Sequence, residues 1–161
     1  MRKVILGIGN TLNRDEGLGV HALERIDKLL LKESGVEIID GGTLGLNLLQ
    51  LVEECSHLLI LDTIDAGREP GTFIELKNEE IPLFRDVKLS EHQITFQEVL
   101  GLAKIRGNLP GNLCLLGFQP VDITLGVGLS DTIEKEMPQL TKRAEEIIAH
   151  WKDSKELDIE I

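Results

Sequence analysis

The chain contains no tyrosine, one tryptophan and four phenylalanines. A core must therefore be assembled from aliphatic side chains, and hydrophobic residues make up 42% of the 161 positions. That is enough for one compact domain and argues against disorder. Cysteine is scarce too: Cys55 and Cys114 lie far apart and form no CxxC pair, so no disulfide framework is indicated. Basic residues are outnumbered, 17 against 28 acidic, for a net charge of −11. No basic run offsets this, which disfavours nonspecific binding to DNA, RNA or anionic lipid and suits a site that attracts cations. No segment approaches the roughly 18 apolar residues of a membrane span. The apolar stretch in MRKVILGIGN is shorter than the core of a signal peptide. The expected compartment is the cytoplasm.

What is present alternates. KVILGIG (3–9) is a continuous apolar run ending in glycine, the pattern of a strand buried on both faces. Residues 17–32 carry helical spacing, with Val20, Leu23, Ile26 and Leu30 on one stripe. GVEIIDGG (35–42) reads as a second strand, 44–55 as a helix and HLLILDTID (57–65) as a third strand. Residues 68–78 follow too closely for a crossover, so their period-2 pattern predicts an antiparallel strand near an edge. Residues 80–92 read as an irregular loop and 92–107 as a helix, with Ser90 and Gln93 as a capping box. Residues 112–120 form a fifth strand stopped by Pro120. Residues 130–152 form a closing helix capped by Ser130 or Asp131, with Pro138 marking a kink or the end of a short first turn. The expectation is a single α/β domain over 1–161, its sheet covered by helices on both faces and its tail, 152–161, fraying.

In such a sheet, ligands sit beyond the carboxyl ends of the strands. The first strand leads there to Asp15 and Glu16, the second to Asp40, the third to Asp62 and Asp65, and the fifth to Gln119; His92 sits at a helix start. Crowded carboxylates stay ionised together only if something positive joins them, and a metal ion is the natural resolution. Oxygen ligands with one histidine suit zinc, nickel, manganese or iron. The Gly7–Ile8–Gly9 turn suggests a nucleotide instead, but the third glycine of that fingerprint and any Gly-Lys-Ser/Thr are missing. Two acids at the helix start would also compete with phosphate. A nucleotide-binding α/β enzyme stays as a weaker alternative, with Asp40 placed to contact a ribose.

GIGNTLNRDEGLGV, DGGTLG, LDTIDAG, HQITFQEVL and GFQP stand in the order and spacing of the [NiFe]-hydrogenase maturation endopeptidases. The resemblance runs from Val4 to about Trp151. It implies a three-layer α/β/α sandwich with a five-stranded, mostly parallel sheet and one antiparallel strand. It further implies a cytoplasmic, aspartyl-type endopeptidase that removes the C-terminal extension of a hydrogenase large-subunit precursor after nickel insertion; nothing in the sequence suggests an obligate interface, so a monomer is expected. The family's metal-binding trio maps onto Glu16, Asp62 and His92, and Asp40 matches another acid of the family that matters for cleavage. Glu16 and Asp62 are thereby both metal-contacting and catalytic candidates. No permanent metal is implied; the substrate supplies the nickel, with zinc or cadmium as stand-ins in vitro. Asp40 or a metal-bound water serves as the base, and the residues leave both open. No Ser–His–Asp or Cys–His set and no His-Glu-x-x-His motif offers another route. A non-cleaving, metal-sensing chaperone of the large subunit would use the same trio and is the other reading.

Ordinary roles compete with these. Asp40 before Gly41–Gly42 also suits an Asx-turn. Asp15 reads as a helix N-terminal acid and Asp65 as a turn former. His57 belongs at the opposite edge of the sheet, His150 on a solvated helix, and His21 in helix packing.

Overall fold

The computed structural model describes residues 2–83 and 91–159, with the side chains of 91–95 and 154–159 left aside. Five strands form one sheet: β1 (Arg2–Ile8), β2 (Glu37–Gly42), β3 (Cys55–Thr63), β4 (Phe73–Lys77) and β5 (Asn112–Phe118). Their order is β2-β1-β3-β5-β4. All neighbours run parallel except β4, which pairs antiparallel with β5 at the edge. The helices are α1 (Leu18–Leu23), α2 (Lys28–Ser34), α3 (Leu49–Glu54), α4 (Glu91–Ile105) and α5 (Asp131–Ile159).

The continuous apolar runs are explained by burial on both faces. Alternate residues Val4, Leu6 and Ile8 of β1 and Leu58 and Ile60 of β3 pack with Val52 of α3 and Phe96, Val99 and Leu100 of α4. The intervening residues, Ile5 of β1 and Leu59 and Leu61 of β3, meet Leu18 and Ala22 of α1 and Ile133, Met137 and Leu140 of α5. This is the expected three-layer α/β/α sandwich, with its antiparallel strand where the short connection predicts it.

Two expectations need correction. Residues 17–32 are not one helix. The chain leaves helix after Leu23, and the Asp27 carboxylate accepts hydrogen bonds from the Leu29 and Leu30 N–H groups, opening α2 as a separate element that Gly35 closes in the left-handed conformation. A good side-chain cap outcompetes a continuous apolar stripe here. Pro138 ends no preceding turn, since α5 runs through it. The Ser90 capping box and residues 84–90 of the expected loop lie outside the described residues.

One ion pair ties the edge strand to a helix. Arg143 of α5 grips Glu75 of β4 through both carboxylate oxygens, at 2.6 and 3.0 Å. Arg143 holds the Glu75 carboxyl below its ordinary value. The pair therefore contributes fully above the unfolded-state carboxylate pKa and fades as pH falls through the lower folded value. Glu75→Gln is expected to cost about 1 kcal/mol near pH 7. Urea unfolding of both proteins at pH 7 and pH 3 should show this gap closing in acid.

Candidate functional site

The turn after β1 is built for close backbone approach. Gly9 has φ +137°, and a Cβ there would lie 1.8 Å from the Glu16 carbonyl oxygen. A Cβ on Gly19 of α1 would lie 2.0 Å from the Leu61 carbonyl of β3. These glycines let a short 3₁₀ turn, Arg14–Gly17, and the start of α1 settle directly on the carboxyl ends of β1 and β3. The space a phosphate would need beside the Gly-x-Gly turn is filled by the protein's own Glu16 backbone.

That turn carries Asp15 and Glu16, which do different work. Asp15 is 0% exposed. Its Oδ2 accepts hydrogen bonds from the Val121 and Asp122 N–H groups and the Ser130 hydroxyl, at 3.0, 2.9 and 2.8 Å. Its Oδ1 accepts one from the Ser130 N–H at 2.8 Å. Its own carbonyl accepts the Thr63 hydroxyl. Asp15 does stand in the first turn of a helical element, as the sequence suggested, and it is in addition a buried clamp joining that turn to β3 and to the segment between β5 and α5. Nothing near Asp15 in sequence announces this, because the partners of its carboxylate, Val121, Asp122 and Ser130, lie more than a hundred positions away.

Glu16, 8% exposed, follows on the same turn. Asp62, 0% exposed, sits in β3 opposite Gly117 of β5, its Oδ1 accepting the Thr63 N–H at 2.7 Å. The Thr63–Asp15 bond holds the Glu16 turn against the strand end that bears Asp62. Two buried carboxylates are therefore brought onto touching segments.

Asp40 at the end of β2 is exposed. Its Oδ1 accepts the Gly42 N–H at 2.9 Å, the Asx-turn geometry. It also lines a cleft of about 290 Å³ with Gly9, Asn10, Thr11, Val20 and Thr43, so it reaches the same edge as the Glu16 turn. Asp65 and Gln119 are turn builders. The Gln119 Oε1 accepts the Ala66 and Arg68 N–H groups, and its Nε2 donates to Asp65.

His92 is the second residue of α4. The helix has 15 residues and its C-terminal end feeds β5 at the amino edge. Rising about 1.5 Å per residue, it returns its first turn to the carboxyl edge. The His92 side chain lies outside those described. Among the described residues, no group of three His, Cys, Asp or Glu gathers as a metal site.

Other nucleophiles are poorly placed. Burial pushes the Cys55 thiol up to about 11 and Cys114 up to about 12, so neither forms a thiolate readily. His57 sits at the amino edge, as expected, bonded to Ser56 and Asn112 and edge-on to Trp151. A cleft of about 450 Å³ lies at that end between Lys77, Arg143, Glu146, His150 and Trp151. Arg143 is committed there to Glu75 and Glu146. The buried acids Asp15, Glu16 and Asp62 lie toward the other edge.

The fold and site define a three-layer α/β protein with buried carboxylates at the carboxyl edge of its sheet. Comparison narrows this. A family model described as hydrogenase maturation protease matches residues 20–147, a span that includes Asp40, Asp62 and His92. The chain is 41% identical over 152 residues to the hydrogenase expression/formation protein HupD of Rhizobium leguminosarum bv. viciae, covering 93% of this chain and 75% of that one. It is 34% identical over 155 residues to the hydrogenase 2 maturation protease of Escherichia coli (strain K12), covering 96% and 93%. The solved structure of the hydrogenase maturating endopeptidase HybD from E. coli superposes with a TM-score of 0.80 at 32% identity, over 96% of this chain and 94% of that one. The chain belongs to the hydrogenase maturation protease family. It is a peptidase of hydrogenase maturation.

Proposed function

We propose that this enzyme removes a C-terminal extension from the large-subunit precursor once nickel is in place, and that it recognises the nickel itself. Glu16, Asp62 and His92 contact the metal carried by the substrate. The observation that carries this reading is the pairing of Glu16 and Asp62, two carboxylates at or below 8% exposure on touching segments at the carboxyl edge. Buried carboxylates cost free energy in the charged form, and a divalent cation offsets that cost better than water can reach in to do. Histidine from the first turn of α4 adds a ligand of the type nickel and zinc both accept.

Cleavage needs the scissile carbonyl polarised and a water deprotonated. The metal anchors the extension across the strand ends, and Asp40 on the rim of the adjoining cleft is positioned to serve as base. Its second oxygen is not used by the Asx-turn bond, so the turn role and the chemical role are compatible. Zinc or cadmium should occupy the same ligands in vitro. The two free, buried cysteines fit work in a reducing compartment such as the cytoplasm. The direct test mixes the protein with nickel-loaded precursor and follows the precursor by mass spectrometry. Loss of a C-terminal piece supports the reading, and an unchanged mass under saturating enzyme contradicts it.

A further inference from the structure

Next to the acids lies a surface that catalysis does not use. The segment after β5 presents Ile123, Leu125 and Val127 to solvent, and Leu12 of the first turn joins them. Leu125 and Val127 are 81% and 80% exposed, unusual for large aliphatic side chains held in one place. They are held. The Gly126 N–H donates to the Leu12 carbonyl at 2.8 Å, and the Arg14 N–H donates to the Gly126 carbonyl at 3.1 Å. The Asn13 amide donates to the Ile123 carbonyl, and Asn13 and Gly126 form a parallel bridge. The Asp15 carboxylate fastens the segment at Val121, Asp122 and Ser130.

We infer that this aliphatic patch is where the body of the large-subunit precursor docks, through an apolar face beside its metal. Two observations select this occupant. The patch is bonded residue by residue to Leu12–Asp15, the stretch leading directly into Glu16, so whatever presents a metal to Glu16 lies against it. The surface is also apolar and pre-ordered by these bonds, so it loses little entropy when an apolar face covers it. The inference rests on the proposed site at Glu16 and Asp62, and it adds the surface that makes the enzyme choose a protein rather than a metal.

The test uses Leu125→Asp, Val127→Asp and the double variant. Both side chains point into water, so melting temperatures should match wild type. Precursor affinity is expected to fall roughly 10-fold for each variant and about 100-fold for the pair, as for losing a buried aliphatic contact. The increase should appear in KM, with kcat at saturation and zinc affinity of the enzyme alone unchanged. Unchanged precursor affinity in the double variant overturns the inference. So does loss of wild-type self-association in ultracentrifugation with precursor affinity intact, which would make the patch a face between two copies. Affinities are measured for nickel-loaded and nickel-free precursor alike. If wild type binds both equally, nickel recognition fails, while the wild-type-to-variant ratio in each series still decides the docking surface.

Discussion

Asp62→Asn is expected to leave the protein folded and to lower kcat/KM for the precursor by about 10²–10³, the scale of losing one charged group at a metal-assisted reaction. Asparagine nearly matches aspartate in shape, and its carbonyl can keep the hydrogen bond from the Thr63 N–H. What disappears is one negative charge in a fully buried position of β3. Because shape and the hydrogen bond from Thr63 are kept, the melting temperature should stay close to that of wild type. A paired measurement of steady-state cleavage and thermal unfolding checks this. Loss of cleavage with the fold retained fits a peptidase whose metal contact has been cut. Normal cleavage by Asp62→Asn would remove Asp62 from the site. A drop in melting temperature of many degrees would make it a structural acid instead.

Asp15→Ala should act in the opposite way, through stability first. Alanine leaves three backbone N–H groups and one hydroxyl without the oxygen they now share. Charge-assisted bonds of this kind contribute about 1.5–3 kcal/mol each in isolation, but water recovers part of the loss at a loop, so a total of about 3–5 kcal/mol is expected. For a chain of this length that corresponds to a fall of roughly 10 °C or more in melting temperature. The segment between β5 and α5 should become the first site of proteolysis, since both its ends are released. Activity should fall in step, because the Glu16 turn loses its anchor to Val121, Asp122 and Ser130. If Asp15 merely favoured a helix N-terminus, the cost would stay below about 1 kcal/mol. Chemical denaturation of wild type and variant distinguishes the two.

The contrast between these acids shows what a sequence can and cannot display. Asp62 is legible because an acid closing an apolar run such as HLLILD has no solvent to justify it. The parallel sheet is legible for the same reason: runs such as VILGI and LLIL are apolar at every position, as burial on two faces requires. The antiparallel edge strand follows from chain length alone. Asp15 is not legible, since its role depends on backbone groups at 121, 122 and 130 brought back by the whole fold. The break between α1 and α2 is hidden because the apolar stripe continues across it while Asp27 caps the second helix. The docking patch is legible only in part: a loop around 120–130 is a place to expect the substrate groove, but only the bonds to Leu12–Asp15 and the exposure of Leu125 and Val127 show an ordered aliphatic surface there. The Gly-x-Gly turn misleads for a related reason. Its glycines admit a close neighbour, and here the neighbour is the protein's own Glu16 carbonyl.

The reading of Glu16, Asp62 and His92 as a probe for the substrate's metal is tested most directly by giving the enzyme two precursors that differ in nickel alone. Nickel-loaded and nickel-free large subunit, at equal concentration with equal enzyme, are followed over time by intact-mass spectrometry. Metal recognition predicts a shortened product from the loaded precursor and little or none from the empty one. Equal rates for the two would contradict it.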